Sequence, residues 1–251
     1  MLRKTSNNED NYNNENESTI FVSNTTISNP TVNEMDHSSE NTNHTLQKPR
    51  YAVLVLDMLN DFVFGKLKCE GAKKIIPNIA SLVNAARLRN IPVFYCIDQH
   101  LPTDIYELKL WGYHAMKGTK GADIINELKP STSNDHIIHK RNYSAFDKTR
   151  LDSALKSAYD GKGADTVIIT GLTTDICSRH TAYDAFTRAF NIVVAEDGTA
   201  AFTQEDHTAG LKYMQRDYGV QVKKIADIEK DFEKTIKKED DNENLEQYHF
   251  C

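Results

Sequence analysis

Three side chains of this chain could together form a nucleophile: Asp57, Lys140 and Cys177. Each ends or follows a short apolar run. Asp57 follows Tyr51-Ala52-Val53-Leu54-Val55-Leu56, Lys140 ends Ile137-Ile138-His139-Lys140, and Cys177 comes soon after Val167-Ile168-Ile169-Thr170. A carboxylate can take the proton of a thiol, and an ammonium favours the resulting thiolate. Taken singly, each residue also has a plainer role. Asp57 could cap a helix, Lys140 could be a surface charge, and Cys177 could be an inert core filler. The elements that carry them decide between these roles.

The run at Val167 is β-branched and lacks alternation, the pattern of a strand buried on both faces of a parallel sheet. Gly171 breaks it, and Thr174 and Asp175 offer N-cap oxygens to a following helix. Ile176, Tyr183, Phe186 and Phe190 recur at helical spacings and predict the stripe that packs this helix on the sheet. Cys177 then falls in the first helical turn. Free N–H groups and the positive helix end there favour an anion, which predicts a lowered thiol pKa. Ligands of open α/β sheets bind at this same strand edge.

The remaining chain alternates in the same way. Tyr51 to Leu56 reads as a strand, Ile75 to Asn90 as an amphipathic helix, and Pro92 to Ile97 as a second strand followed by Asp98. His136 to Ile138 predicts a third strand and Thr149 to Tyr159 a helix. Ile192 to Ala195, a helix from Glu205 to Tyr218 and a short strand at Val220 to Val222 complete the series. Gly121 to Leu128 reads as a short helix. The segment 98–120 shows no periodicity and reads as a long loop, a type usually kept for function. Repeated βα units argue for a parallel sheet covered by helices on both faces.

Charge is distributed unevenly over the 251 residues and their net −6. Residues 1–49 hold 3 basic and 7 acidic residues and 230–251 hold 4 and 7, leaving 23 and 22 for 50–229. The near-neutral middle offers no electrostatic footprint for nucleic acid. Residues 1–49 are rich in Asn, Ser and Thr and are expected to be disordered, with 230–251 a charged tail and 50–229 the folded domain. No apolar run approaches a membrane span, and the start lacks a signal-peptide pattern. Cys69, Cys96, Cys177 and Cys251 show no framework spacing. A cytoplasmic, homo-oligomeric protein with no membrane or nucleic-acid partner is expected.

Three stretches resemble the isochorismatase-like cysteine hydrolases. Val55-Leu56-Asp57-Met58-Leu59-Asn60-Asp61-Phe62 is similar to the opening strand and D-x-x-x-D-F signature of that family. Lys140-Arg141-Asn142-Tyr143-Ser144-Ala145-Phe146 resembles its lysine motif, and Gly171-Leu172-Thr173-Thr174-Asp175-Ile176-Cys177 its nucleophile turn. The resemblance covers roughly residues 50–225. It implies a three-layer α/β/α fold with a doubly wound, mostly parallel sheet, and an Asp57–Lys140–Cys177 triad. It further implies a cis peptide before Thr173, with the N–H groups of Thr173 and Cys177 forming an oxyanion hole. Members that cleave isochorismate typically lack the cysteine, so Cys177 points to an amide or carbamoyl substrate.

The segment after the second strand resembles the metal-binding stretch of nicotinamidases. Asp98-Gln99-His100 sets two ligand-type side chains at i and i+2, and His114 follows in Trp111-Gly112-Tyr113-His114. The resemblance implies that Asp98, His100 and His114 hold one divalent ion, with Glu107 matching an extra ligand of some members. Mixed imidazole and carboxylate ligands suit zinc first, with manganese or iron as alternatives. Phe62, Trp111 and Tyr143 match the aromatic residues that flank the substrate ring. Gly112 replaces a proline common in the family and Met116 a cysteine. The implied activity is hydrolysis of nicotinamide to nicotinate and ammonia through a thioester on Cys177. The alternatives are an amidase for carbamoyl or ureido compounds and a catalytically silent interaction module.

Overall fold

The computed structural model describes residues 48–234. All but the last two residues of the expected disordered stretch at 1–49, and most of the expected tail at 230–251, lie outside the described residues. Six strands form one sheet in the order β3-β2-β1-β4-β5-β6: β1 Tyr51–Leu56, β2 Val93–Asp98, β3 Asp135–Lys140, β4 Thr166–Leu172, β5 Asn191–Ala200 and β6 Gln221–Lys223. Every neighbouring pair is parallel. The chain starts in the middle, winds outward through β2 and β3, then returns to β4 and winds the other way. The strand order reverses between β1 and β4, where a crevice opens at the carboxyl ends of the strands.

Strand side chains alternate between two cores, which is why the central runs read as continuously apolar. Val53, Val55, Val93, Tyr95 and Ile168 point to one face. They meet Ile75, Ile79, Leu82 and Val83 of α2 (Ala72–Arg87). Ala52, Leu54, Leu56, Phe94, Val167 and Ile169 point to the other. They meet Leu151 and Leu155 of α4 (Leu151–Ser157), Ala182 and Ala185 of α5 (Arg179–Phe186), and Leu211 and Met214 of α6 (Gln204–Tyr218). Each large aliphatic chain buried this way contributes about 1.5–3 kcal/mol. The result is a three-layer α/β/α fold. No helix of the described residues is long and apolar enough to cross a membrane.

Several local expectations need correction. The region 98–120 holds a helix, α3 (Ile105–Trp111), after the short α1 (Asn60–Val63) and α2. Its period is hidden because Ile105, Tyr106 and Leu110 are exposed and only Leu108 is buried. Gly121 to Leu128 forms two 3₁₀ turns, Lys120–Ala122 and Asn126–Leu128, in place of one helix. The packed region also runs past position 229. A last helix, α7, spans 225–234 and sinks Ile225, Ile228 and Phe232 into the first core. Its charged residues masked that apolar spacing of three and four.

The aromatic stripe of the nucleophile helix is the largest correction. Tyr183 and Phe186 are half exposed and pack against Tyr218 of α6, with ring centroids 5.6 and 5.9 Å apart. Thr181, Ala182 and Ala185 face the sheet. The turn before α5, Thr174–Ser178, is π-wound and carries an extra residue, which rotates the following face. The small side chains also let the helix approach closely.

Candidate active site

Four strand ends converge on one buried cluster. Asp57 is the first residue beyond β1 and holds φ 51°, a left-handed conformation Asp tolerates better than most residues. Its Oδ1 accepts the Asp98 N–H at 2.8 Å, and its Oδ2 lies 2.8 Å from Lys140 Nζ. Asp98 and Lys140 are the last residues of β2 and β3 and stand in register. Asp98 Oδ1 accepts from Lys140 Nζ at 2.6 Å. Lys140 also donates to the Asn142 carbonyl at 3.2 Å and approaches Cys177 Sγ at 3.6 Å. Asp57, Asp98 and Cys177 present atoms within 4.8 Å of one another. The structure thus brings Asp57, Lys140 and Cys177 together.

The approach of β4 to β1 shapes the turn. Gly171 has φ +97°, and a Cβ there would stand 2.0 Å from the Leu56 carbonyl oxygen, so only glycine fits. The Leu172–Thr173 peptide is cis, and the π-wound turn follows. Thr173 and Cys177 both line the pocket below. Thr174 and Asp175 do not cap the helix, contrary to the spacing argument. The Thr174 hydroxyl instead meets His207 Nδ1 of α6 at 2.8 Å.

Electrostatics correct a second expectation. Burial pushes the Cys177 thiol well above its ordinary pKa, and the negative Asp57 and Asp98 add to this while Lys140 opposes it. The helix end does not leave a standing thiolate. Burial, then Asp98, raises Asp57 to about 6, against the pull of Lys140. Burial alone would lower Lys140, but Asp57, Asp98 and Cys177 outweigh it and hold the ammonium. At neutral pH the cluster is therefore a thiol beside a carboxylate and an ammonium. A carboxylate so placed can accept a proton from the neighbouring thiol.

Access still singles out Cys177. Cys69 and Cys96 are fully buried, whereas Cys177 keeps 8% of its surface and lines the pocket. Iodoacetamide should alkylate Cys177 ahead of Cys69 and Cys96, read by peptide mass spectrometry. Equal or faster labelling of Cys69 or Cys96 would contradict this arrangement.

Asp98, His100 and His114 form a second cluster. They are buried, and their ligand-type atoms lie within 4.8 Å of one another. His114 Nδ1 is 2.9 Å from the Gly112 carbonyl, and His100 Nδ1 is 3.2 Å from Asp104 Oδ2. An acceptor beside each Nδ1 favours the tautomer that carries the ring proton there, the form in which Nε2 can serve as a ligand. His100 Nε2 is buried without a hydrogen-bond partner and stands 3.5 Å from Asp98 Oδ2. An orphaned imidazole nitrogen beside a carboxylate oxygen and a second imidazole is a donor set that fits one divalent cation. Glu107 is not brought into this cluster. It is half-buried in the pocket wall, where burial and the charge of Asp98 raise its carboxyl pKa.

The two clusters share an apolar pocket of about 350 Å³, counting its open mouth. Phe62, Trp111 and Tyr143 line it, and Trp111 Nε1 donates to the Tyr143 hydroxyl at 3.0 Å. Sequence reasoning missed Phe202, which stacks on Trp111 at 5.9 Å and completes the wall with Leu67, Leu172 and Ile176. Phe202 lies just past the end of β5, and its place at a strand edge was the available signal. Asp61 is the second acid of the D-x-x-x-D-F stretch. Its Oδ2 accepts the Ala115 N–H at 2.9 Å and fixes the loop beside His114. A Cβ at Gly121 would strike that same carboxylate at 2.1 Å.

A parallel α/β sheet that gathers a carboxylate, an ammonium and a buried thiol at its switch point has the layout of a hydrolase. The family model "Isochorismatase domain" matches residues 51–227, and the chain belongs to the isochorismatase family. It is 35% identical over 164 residues to Nicotinamidase 3 of Arabidopsis thaliana, covering 64% of this chain and 78% of that one. The structure is similar to N-carbamoylsarcosine amidase from Thermoplasma acidophilum, with TM-score 0.64, 38% identity, and coverage of 70% and 96%. It is also similar to the pyrazinamidase of Pyrococcus horikoshii in complex with zinc, with TM-score 0.63, 27% identity, and coverage of 70% and 99%.

Proposed function

We propose that this chain is a metal-containing cysteine amidase that hydrolyses nicotinamide to nicotinate and ammonia. One observation carries the reading. Cys177, Asp98 and His114 line the same aromatic-walled pocket, and the buried His100 stands behind them with its Nε2 3.5 Å from Asp98 Oδ2. That pairing suits a planar substrate with a carboxamide and a ring nitrogen. The relative called a nicotinamidase and the zinc-bound neighbour support it.

The residues divide the work as follows. Phe62, Trp111, Tyr143 and Phe202 hold the ring by apolar and edge contacts. The Cys177 sulfur attacks the carboxamide carbon while Asp57 takes its proton, and Lys140 stabilises the charge on sulfur and carboxylate. The N–H groups of Thr173 and Cys177 receive the oxyanion. Asp57 then returns the proton to the departing ammonia, leaving a thioester. Water attacks the thioester, Asp57 accepts its proton, and nicotinate leaves as the Cys177 sulfur regains one. Asp98, His100 and His114 would hold a divalent ion, zinc first, which when bound supplies a Lewis-acid contact for the ring nitrogen.

The test compares ammonia release from nicotinamide, benzamide and N-carbamoylsarcosine, with metal analysis of the purified protein. Benzamide lacks the ring nitrogen. Losing one contact worth about 1.5–3 kcal/mol should make it a roughly 10- to 100-fold poorer substrate by kcat/KM. Chelation and His114→Ala should each suppress nicotinamide hydrolysis, while Cys177 still reacts with iodoacetamide. Full activity in verified metal-free protein would overturn the anchoring role. Turnover of the carbamoyl compound without turnover of nicotinamide would move the substrate to that class.

A further inference from the structure

We infer that Asp104 and Arg141 form a clamp that positions His100 for the metal. The inference rests on the metal reading above and concerns two residues outside the proposed ligand set.

The geometry is a chain of contacts running outward from the ligand. His100 is 1% exposed, and its Nδ1 meets Asp104 Oδ2 at 3.2 Å. That carboxylate oxygen also accepts the Leu101 N–H at 2.9 Å, which closes the turn leaving β2. Arg141 grips the same carboxylate with two nitrogens: Nε reaches Oδ2 at 3.1 Å and Nη2 pairs with Oδ1. A further Nη2 contact reaches the Thr103 hydroxyl at 3.4 Å. Asp104 is thus oriented from three sides, and the fork geometry of Arg141 matches a carboxylate as a lysine could not.

Two consequences follow. First, Asp104 sets the tautomer. An ionised carboxylate accepts only, so it keeps the His100 proton on Nδ1 and directs the Nε2 lone pair toward Asp98 and His114. His114 achieves the same through the Gly112 carbonyl, which is backbone and independent of this clamp. Second, the clamp ties the turn after β2 to the end of β3. Arg141 follows Lys140 directly, so one strand end delivers Lys140 to Asp57 and Asp98 and Arg141 to Asp104. The two neighbouring cations hold the catalytic cluster and the metal cluster in one register.

The experiment measures zinc affinity by competition with a chromophoric chelator, using full-length protein stripped and reloaded. Wild type, Asp104→Asn, Arg141→Ala and Arg141→Lys are compared, with iodoacetamide reactivity of Cys177 and a thermal melt as checks on folding. Loss of a carboxylate behind a ligating histidine typically costs 10- to 100-fold in metal affinity, and that range is expected for Asp104→Asn. Arg141→Ala should weaken binding less, Arg141→Lys should recover part of the loss, and Asp104→Asn/Arg141→Ala should bind no more weakly than Asp104→Asn. Arg141 is half exposed, so its variants test the clamp even where Asp104→Asn folds poorly. Wild-type zinc affinity in folded Asp104→Asn, or in Arg141→Ala should Asp104→Asn fail to fold, would overturn the clamp while leaving the metal reading intact. Absence of zinc binding by wild type would overturn both.

Discussion

Cys177→Ala is expected to lower kcat/KM for amide hydrolysis by at least about 10⁴-fold, the scale on which removing a covalent nucleophile acts. The argument is positional. Cys177 is the one thiol of the described residues that lines the pocket, and Lys140 and Asp57 are arranged around its sulfur. Alanine removes only the sulfur, so the pocket walls and the Asp57–Lys140–Asp98 ion cluster stay in place. Nicotinamide binding, followed by tryptophan fluorescence from Trp111, should therefore survive the substitution. Cys177→Ser should be nearly as inactive, because Asp57, at a pKa of about 6, is a weak base for an alcohol. Residual activity of more than a hundredth of wild type in Cys177→Ala would rule out the thioester route.

Lys140→Met should give the largest loss of stability together with loss of activity. Lys140 is buried and is the shared counter-ion of two buried carboxylates, at 2.8 and 2.6 Å. Removing one partner of a buried ion pair costs about 3–5 kcal/mol, because the remaining charges keep their desolvation penalty. For a domain of this size that corresponds to a Tm lower by roughly 6–20 °C. The pH dependence of the deficit has a definite sign. Asp57 already titrates high because of burial, and without Lys140 it must titrate higher still. Protonation removes the uncompensated charge, so the deficit should be greater at pH 8 than at pH 5. A scanning-calorimetry series across that range checks it. An equal deficit at both ends would show that packing, and not charge, is what Lys140 supplies.

Some of the site could be read without coordinates because strand ends announce themselves. Asp57, Asp98 and Lys140 each close an apolar run, and the parallel topology places those ends on one edge. Cys177 was legible for a related reason, since Gly171 marks the break between strand and turn. The burial pattern of the central strands was equally plain, because a strand covered on both faces has no polar positions to confuse the period. Helix faces were less legible. The stripe Tyr183-Phe186 pointed the wrong way because one π turn shifts all later positions, and nothing local in Thr174–Ser178 announces it. α3 was invisible because its apolar residues are exposed.

What the chain determined by itself was therefore the kind of chemistry, through residue types placed at strand ends, and the layered fold that carries them. The tertiary structure decided the quantities that depend on several elements at once. The thiol pKa is one: a local helix-end argument predicted it lowered, but burial among two carboxylates raises it. The composition of the candidate ligand cluster is another. Asp98, His100 and His114 meet while Glu107 stays in the wall, because α3 and the Asp104–Arg141 contact set where each side chain can reach. Phe202 joins the pocket only because β5 ends beside Trp111. The physical reason is the same in each case. Side-chain identity and period are local properties, whereas desolvation, ligand convergence and cavity shape are sums over neighbours distant in the sequence.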